Sequence, residues 1–175
     1  MNLVLEIKLS VFTEVPENKE LNVLYSLNQQ NTPEVGGLES INDLSKLITM
    51  SAINFYVLEG NEIIGFVICF RENSEYQSPN YKYFKNKEDK FLYIDRLVIS
   101  ESYRRRGAGS YLYNHLDELA KKEGIPLCCE VNILPRNEIS LSFHYKKGFK
   151  DDGECHFEDH SVRYLKKIDV LNIFY

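Results

Sequence analysis

Between residues 3 and 12 apolar and polar positions alternate, with Leu3, Leu5, Ile7, Leu9 and Val11 on one side, which predicts a strand. The period then changes. Leu21, Val23, Leu24 and Leu27 recur at near-helical spacing, and NTPEVGG breaks the pattern. A second helix is predicted over LESINDLSKLITMSA, where Ile41, Leu44, Leu47 and Ile48 recur at three- and four-residue intervals. FYVLE and IIGFVICF flank Gly60-Asn61, a hairpin signal. The polar, tyrosine-rich run RENSEYQSPNYKYFKNKEDK, with its proline, predicts a long surface loop. FLYIDRLVIS predicts a strand over 91–99. A helix over 107–122 follows, carrying Ala108, Leu112, Leu116, Leu119 and Ala120 on one face, with Gly124 and Pro126 as its stop. LCCEVNI predicts a buried strand over 127–133. PRNEISLSFHYKKGF predicts a short helix capped by Asn137 and ended by Gly148. Strands near 149–157 and 161–168 and an apolar tail, VLNIFY, complete the chain. The order β-α-α-β-β-β-α-β-α-β-β implies a mixed sheet flanked by helices, an α+β or three-layer α/β/α arrangement.

Composition narrows this picture. At 175 residues with 43% hydrophobic content, the chain predicts one domain over 1–175 with a packed core. The net charge of −5 lacks the basic face that nucleic-acid binding needs, so no nucleic-acid partner is expected. No apolar run reaches the roughly 18 residues of a membrane span, and the N-terminus reads as a strand rather than a leader. The four cysteines show no CxxC spacing, which fits buried thiols in a reducing compartment and predicts a cytoplasmic protein. His156 and His160 would suit zinc on a helix, but their segment reads as a hairpin, so no metal is expected.

Against this acidic background stands Arg104-Arg105-Arg106-Gly107-Ala108-Gly109-Ser110, between the strand at 91–99 and the helix at 107–122. Adjacent arginines repel, and glycines weaken a helix start. Both costs are accounted for if the turn holds a polyphosphate. Helix N-terminal N–H groups lack intrahelical partners, the helix dipole is positive there, and glycine permits close backbone approach. No Gly-Lys-Ser/Thr of a P-loop occurs, and position 112 is Leu where a dinucleotide fingerprint needs its third glycine. A solvated basic turn is the competing reading.

The stretch resembles the Arg/Gln-x-x-Gly-x-Gly/Ala signature of the GNAT superfamily of acetyl-CoA-dependent N-acyltransferases. Leu97-Val98-Ile99 stands where that family ends its preceding strand. Asn137, Ser140 and the run from Phe143 to Phe149 stand where it has its second motif. The run CEVNILPRNEISLSFHYKKGF is most similar to a bacterial subgroup of predicted acetyltransferases. The resemblance implies a mostly antiparallel sheet with a splayed parallel strand pair, 91–99 and 127–133, that admits the pantetheine arm of acetyl-CoA. It implies that Leu97, Val98 and Ile99 pair with pantetheine, that Arg104 to Ser110 hold the diphosphate, and that Asn137, Ser140 and Phe143 face the cofactor. It also implies that His144 takes the place of a tyrosine acid, with Tyr145 beside it.

Thioester aminolysis needs a base for the ammonium, a donor to the carbonyl oxygen and a proton for the leaving thiolate. Asp95 and Glu130, on the two strands bordering the gap, are the candidate bases; the alternative for Glu130 is an ion pair with Arg96 or another basic residue, and Asp95 carries the same ambiguity. A backbone N–H near Ile99 is the candidate oxyanion donor, and His144 or Tyr145 the candidate acid. Strand alternation puts Asp95, Leu97 and Ile99 on one face. The expected partners are acetyl-CoA and an amine of a small molecule or protein. A non-catalytic acyl-CoA-binding module and a scaffold that dimerises through VLNIFY are the alternatives, so the chain is expected to be a monomer or homodimer.

Overall fold

Seven strands form one sheet in the computed structural model, which describes residues 6–168. The chain runs β1 (Ile7–Val11), α1 (Asn18–Gln30), α2 (Ile41–Met50), β2 (Ile53–Glu59), β3 (Glu62–Arg71), α3 (Pro79–Lys85), β4 (Leu92–Ile99), α4 (Ala108–Glu123), β5 (Leu127–Leu134), α5 (Glu138–Lys146), β6 (Lys150–His156) and β7 (Ser161–Lys167). The order across the sheet is β1-β2-β3-β4-β5-β7-β6. Every neighbouring pair is antiparallel except β4 and β5, which are parallel. The mixed, mostly antiparallel α+β arrangement expected from the sequence is therefore present. The first part of the expected strand 3–12 and the tail VLNIFY lie outside the described residues.

Local chemistry accounts for the element ends. Ser40 and Asp43 close a reciprocal capping box at the start of α2. Gly124, at φ 66°, ends α4 in the left-handed conformation that glycine adopts without Cβ strain. Helices lie on both faces of the sheet. α4 and α5 contribute Leu112, Tyr113, Leu116, Ala120 and Leu141 to one buried cluster. The cluster on the other face takes Leu21, Leu24, Leu44, Leu47, Tyr81 and Phe84 from α1, α2 and α3.

The segment expected to be a surface loop contains α3, with Pro79 in its first turn and Tyr81 and Phe84 fully buried. Proline pre-sets the backbone angle of a helix start, and a Tyr-x-x-Phe pair shares one helical face. At seven residues the helix is too short for periodicity to separate it from a loop; packing on Phe91 and Tyr93 of the sheet fixes it.

β4 carries a bulge. Ile68 pairs with Arg96 and Cys69 with Ile94, which leaves Asp95 as the extra residue. The expected alternation fails there. Leu97 and Ile99 pack on the α4 face, whereas the carboxylate of Asp95 lies beside Arg96 and the hydroxyl of Tyr76, which packs on the opposite face. The end of β4 is seated on Gly65 of β3, where an added Cβ would stand 2.3 Å from the Val98 carbonyl oxygen. Gly65→Ala is expected to lower stability by about 1–3 kcal/mol, because backbone cannot yield as a side chain does. Urea unfolding measures it.

Candidate active site

β4 and β5 begin as neighbours and then part. Their parallel pairing joins Leu92 with Leu127 and Tyr93 with Cys128. Further along, β4 remains bonded to β3 and β5 to β7. The β5-facing edge of β4 from Asp95 to Ile99, which includes Leu97, Val98 and Ile99, thus borders a gap in the sheet. Such an edge can pair with an extended amide-bearing chain as a strand would.

At one end of the gap stands the arginine–glycine turn. Gly107 is the N-cap of α4 at φ 92°, with no side-chain cap hydrogen bond and no acidic residue in the first turn. Arg105 also has positive φ, 59°, a conformation that costs a non-glycine residue on the order of 1 kcal/mol. A Cβ added at Gly107 or Gly109 would meet nothing within 4 Å. The N–H groups of Ala108, Gly109 and Ser110 belong to the helix's first turn, which has no intrahelical acceptors for them. The three arginines are used differently. Arg106 lies over the Tyr103 ring at 5.4 Å. Arg104 turns back, donating from Nε to the Ile99 carbonyl at 3.3 Å and from Nη2 to the side-chain oxygen of Asn31.

On the face of the sheet covered by α1, α2 and α3, two carboxylates are carried by the strands that border the gap, Asp95 on β4 and Glu130 on β5. Glu130 is partly buried and accepts from the Tyr93 hydroxyl at 2.8 Å and from Asn80 Nδ2 at 3.2 Å, both neutral donors. Burial, and after it the charge of Asp95, pushes the Glu130 carboxyl up to about 8. Of the two carboxylates for which an ion pair is open from the sequence, Asp95 is the one that lies against Arg96, whose Nε is 3.1 Å from its Oδ2. Burial raises the Asp95 carboxyl, and Arg96 opposes that.

A roof crosses this end of the gap. The segment after α1 is bonded to both strands: Gly36 C=O accepts from Arg96 Nη1 on β4 at 2.5 Å, and Pro33 C=O accepts from Asn132 Nδ2 on β5 at 3.3 Å. The segment falls within residues 20–50, which with the loop 76–90 are expected from the sequence to shape the acceptor cleft; no single residue of it stands out there, because its contacts are made by carbonyls and by asparagines that carry no local pattern.

On the α5 side the candidate acid takes another role. His144 is 5% exposed. Its Nδ1 sits 2.7 Å from the Ser140 carbonyl and must donate to it, so Nε2 is the acceptor of the Tyr113 hydroxyl at 2.5 Å. Burial holds this imidazole below its ordinary range, and the ring packs edge-on against Tyr113 and Phe149. A neutral ring with its one N–H bound to a carbonyl has no proton to give. Tyr145 is half-exposed, its hydroxyl donating to Asp151 at 2.7 Å and accepting from Arg163 at 3.0 Å. Asn137 caps α5, accepting from the Ser140 N–H at 3.1 Å, and Phe143 packs edge-on to Tyr113. His144→Phe is expected to cost about 1–3 kcal/mol by leaving the buried Tyr113 hydroxyl without its acceptor, readable as a fall in melting temperature.

The model for the acetyltransferase (GNAT) family matches residues 21–149. No match was found among curated proteins. Among solved structures the fold is similar to aminoglycoside acetyltransferase AAC(6')-Ib in complex with coenzyme A, with TM-score 0.70, 19% identity, and 93% of this chain and 95% of that one covered. It is also similar to Arabidopsis thaliana NAA60 with a bisubstrate analogue (TM-score 0.68, 14% identity, 92% and 98% covered). The ribosomal-protein-S18-alanine N-acetyltransferase of Escherichia coli gives TM-score 0.66 at 14% identity, with 96% and 100% covered. At these identities the likeness is one of fold. The family match takes in β4, the arginine–glycine turn, the gap, β5 and α5, and on it this chain belongs to the acetyltransferase (GNAT) family.

Proposed function

We propose that this acetyl-CoA-dependent acetyltransferase passes its acetyl group to an amine of a small molecule or protein by direct attack in a ternary complex. The observation that carries the reading is the parting of β4 and β5 after two residue pairs, with an uncapped helix start at one end and a carboxyl held near neutrality beside the opening. The first N–H groups of α4, with the turn from Arg105 to Ser110, bind the diphosphate. The open edge from Leu97 to Ile99 pairs with the pantetheine amides, and Asn137, Ser140 and Phe143 flank the arm from the α5 side. An edge N–H near Ile99 donates to the thioester oxygen as its charge develops.

Glu130 takes one proton of the acceptor ammonium, directly or through a water; the freed amine attacks the thioester carbon, the C–S bond breaks, and the second proton that the nitrogen sheds goes through solvent to the leaving CoA thiolate. A carboxylate whose pKa is raised toward 8 accepts a proton more readily than an ordinary glutamate, and its donors Tyr93 and Asn80 fix its orientation. Asp95, kept beside Arg96, contributes negative potential that favours a cationic acceptor. Among the described residues no helix is long and apolar enough to cross a membrane. All four cysteines are free thiols, which fits a reducing compartment such as the cytoplasm.

The second reading, a non-catalytic acyl-CoA-binding module, draws on His144, which offers no proton where the family places its acid. The discriminating experiment is thiol release from acetyl-CoA against a panel of polyamines, aminoglycosides and peptide N-termini, with the acetylated product identified by mass. Amine-dependent release supports transfer; acetyl-CoA binding with no release above the amine-free rate across the panel supports the module.

A further inference from the structure

Two asparagines at the end of α1, Asn28 in its last turn and Asn31 as its C-cap, are buried, and each is bonded to an arginine at a different point of the site. Asn28, fully buried, accepts from Arg96 Nη1 at 2.6 Å and donates from Nδ2 to the Gly36 carbonyl at 3.2 Å. Asn31, 7% exposed, donates from Nδ2 to the Leu27 carbonyl at 2.7 Å, which turns its oxygen toward Arg104 Nη2. Asn31 is therefore where the roof begins and where an arginine of the phosphate turn ends. Hydrogen bonds to a charged donor are among the stronger neutral-partner contacts, and a buried amide with both ends engaged has one orientation.

We propose that Asn31 is a positioning residue for the acceptor amine, linked through Arg104 to the phosphate turn, so that cofactor binding sets the roof over the gap. This rests on the proposed placement of the diphosphate and acceptor. The turn is the strained part, with Arg105 at φ 59°. A diphosphate that fixes the turn fixes Arg104, Arg104 fixes the end of α1, and residues 34–38 follow. Coupling of this kind is reciprocal: the amine binds better to the CoA complex, and CoA binds better in the presence of the amine.

The test has two arms. In steady-state kinetics Asn31→Ala is expected to raise the amine KM about tenfold, the scale of one lost hydrogen bond to a charged group, while the CoA dissociation constant by calorimetry changes less than about twofold. Arg104→Ala, at an exposed position, is expected to raise the amine KM by a similar factor, and the double variant to add nothing further. An unchanged amine KM in Asn31→Ala, or additive effects in the double variant, overturns the proposal. The second arm needs no turnover. CoA is expected to slow amide hydrogen exchange over residues 34–38 in the native chain and not in Asn31→Ala. Equal slowing in both overturns the coupling even where no acceptor has been found, and slowing lost in the variant supports it even if the panel shows no transfer.

Discussion

Glu130→Gln is expected to lower kcat by about two to four orders of magnitude, the range of a lost general base, with the CoA affinity unchanged. The carboxyl is pushed up to about 8, by burial first and by Asp95 second. It must be deprotonated to act, so kcat/KM of the native enzyme rises with pH up to about 8, and Glu130→Gln loses that limb. Stability moves the other way. A carboxyl raised in the folded state holds a proton that the unfolded chain releases near its ordinary value of 4.5. Its contribution is complete below that value and is lost as pH rises through about 8. Glutamine keeps a neutral amide between Tyr93 and Asn80 at every pH, so the variant is expected to melt higher than the native protein above pH 8. The advantage disappears as pH falls toward 4.5. A variant that is both less active and more stable at alkaline pH is the signature of a carboxylate held against its solvation for chemistry; calorimetric melting across pH measures it.

The second large effect is expected at the phosphate turn. Gly109→Glu should weaken CoA binding by at least about a hundredfold, since it sets a carboxylate against the diphosphate where interactions at a helix N-terminus favour a single anion. The fold should survive. Gly109 is in the first turn of α4, faces nothing within 4 Å and has no positive φ. An acidic side chain there is worth about 0.3–1 kcal/mol to the helix itself. Melting temperature held or raised with CoA affinity lost separates the ligand from the scaffold. Unchanged affinity in the folded variant would place the diphosphate elsewhere.

Much of this was legible along the chain because it rests on local chemistry. Gly60, Gly107 and Gly124 adopt the positive φ that other residues avoid, and Asn137 offers the side-chain oxygen that a helix start needs. The parallel pair followed from a strand–helix–strand order together with the family signature. What stayed hidden is non-local. The bulge at Asp95 depends on β3 pairing two residues against three, which no alternation in β4 records. The burial of α3 depends on the aromatic floor provided by Phe91 and Tyr93. Tyr113, read only as a helix residue, becomes the partner of His144 because α4 and α5 pack together over the sheet. That contact turns the expected acid into an acceptor. Arg104, grouped by sequence with its neighbours as a phosphate ligand, reaches 73 residues back to Asn31.

The central claim is that acetyl-CoA lies with its diphosphate on the start of α4 and its arm in the opening between β4 and β5. A crystal structure with bound CoA addresses it most directly. The account predicts diphosphate oxygens within hydrogen-bonding distance of the N–H groups between Arg105 and Ser110, and pantetheine amides paired with Leu97 to Ile99. CoA bound away from this turn, or strands β4 and β5 zipped together along their length in the complex, would contradict it.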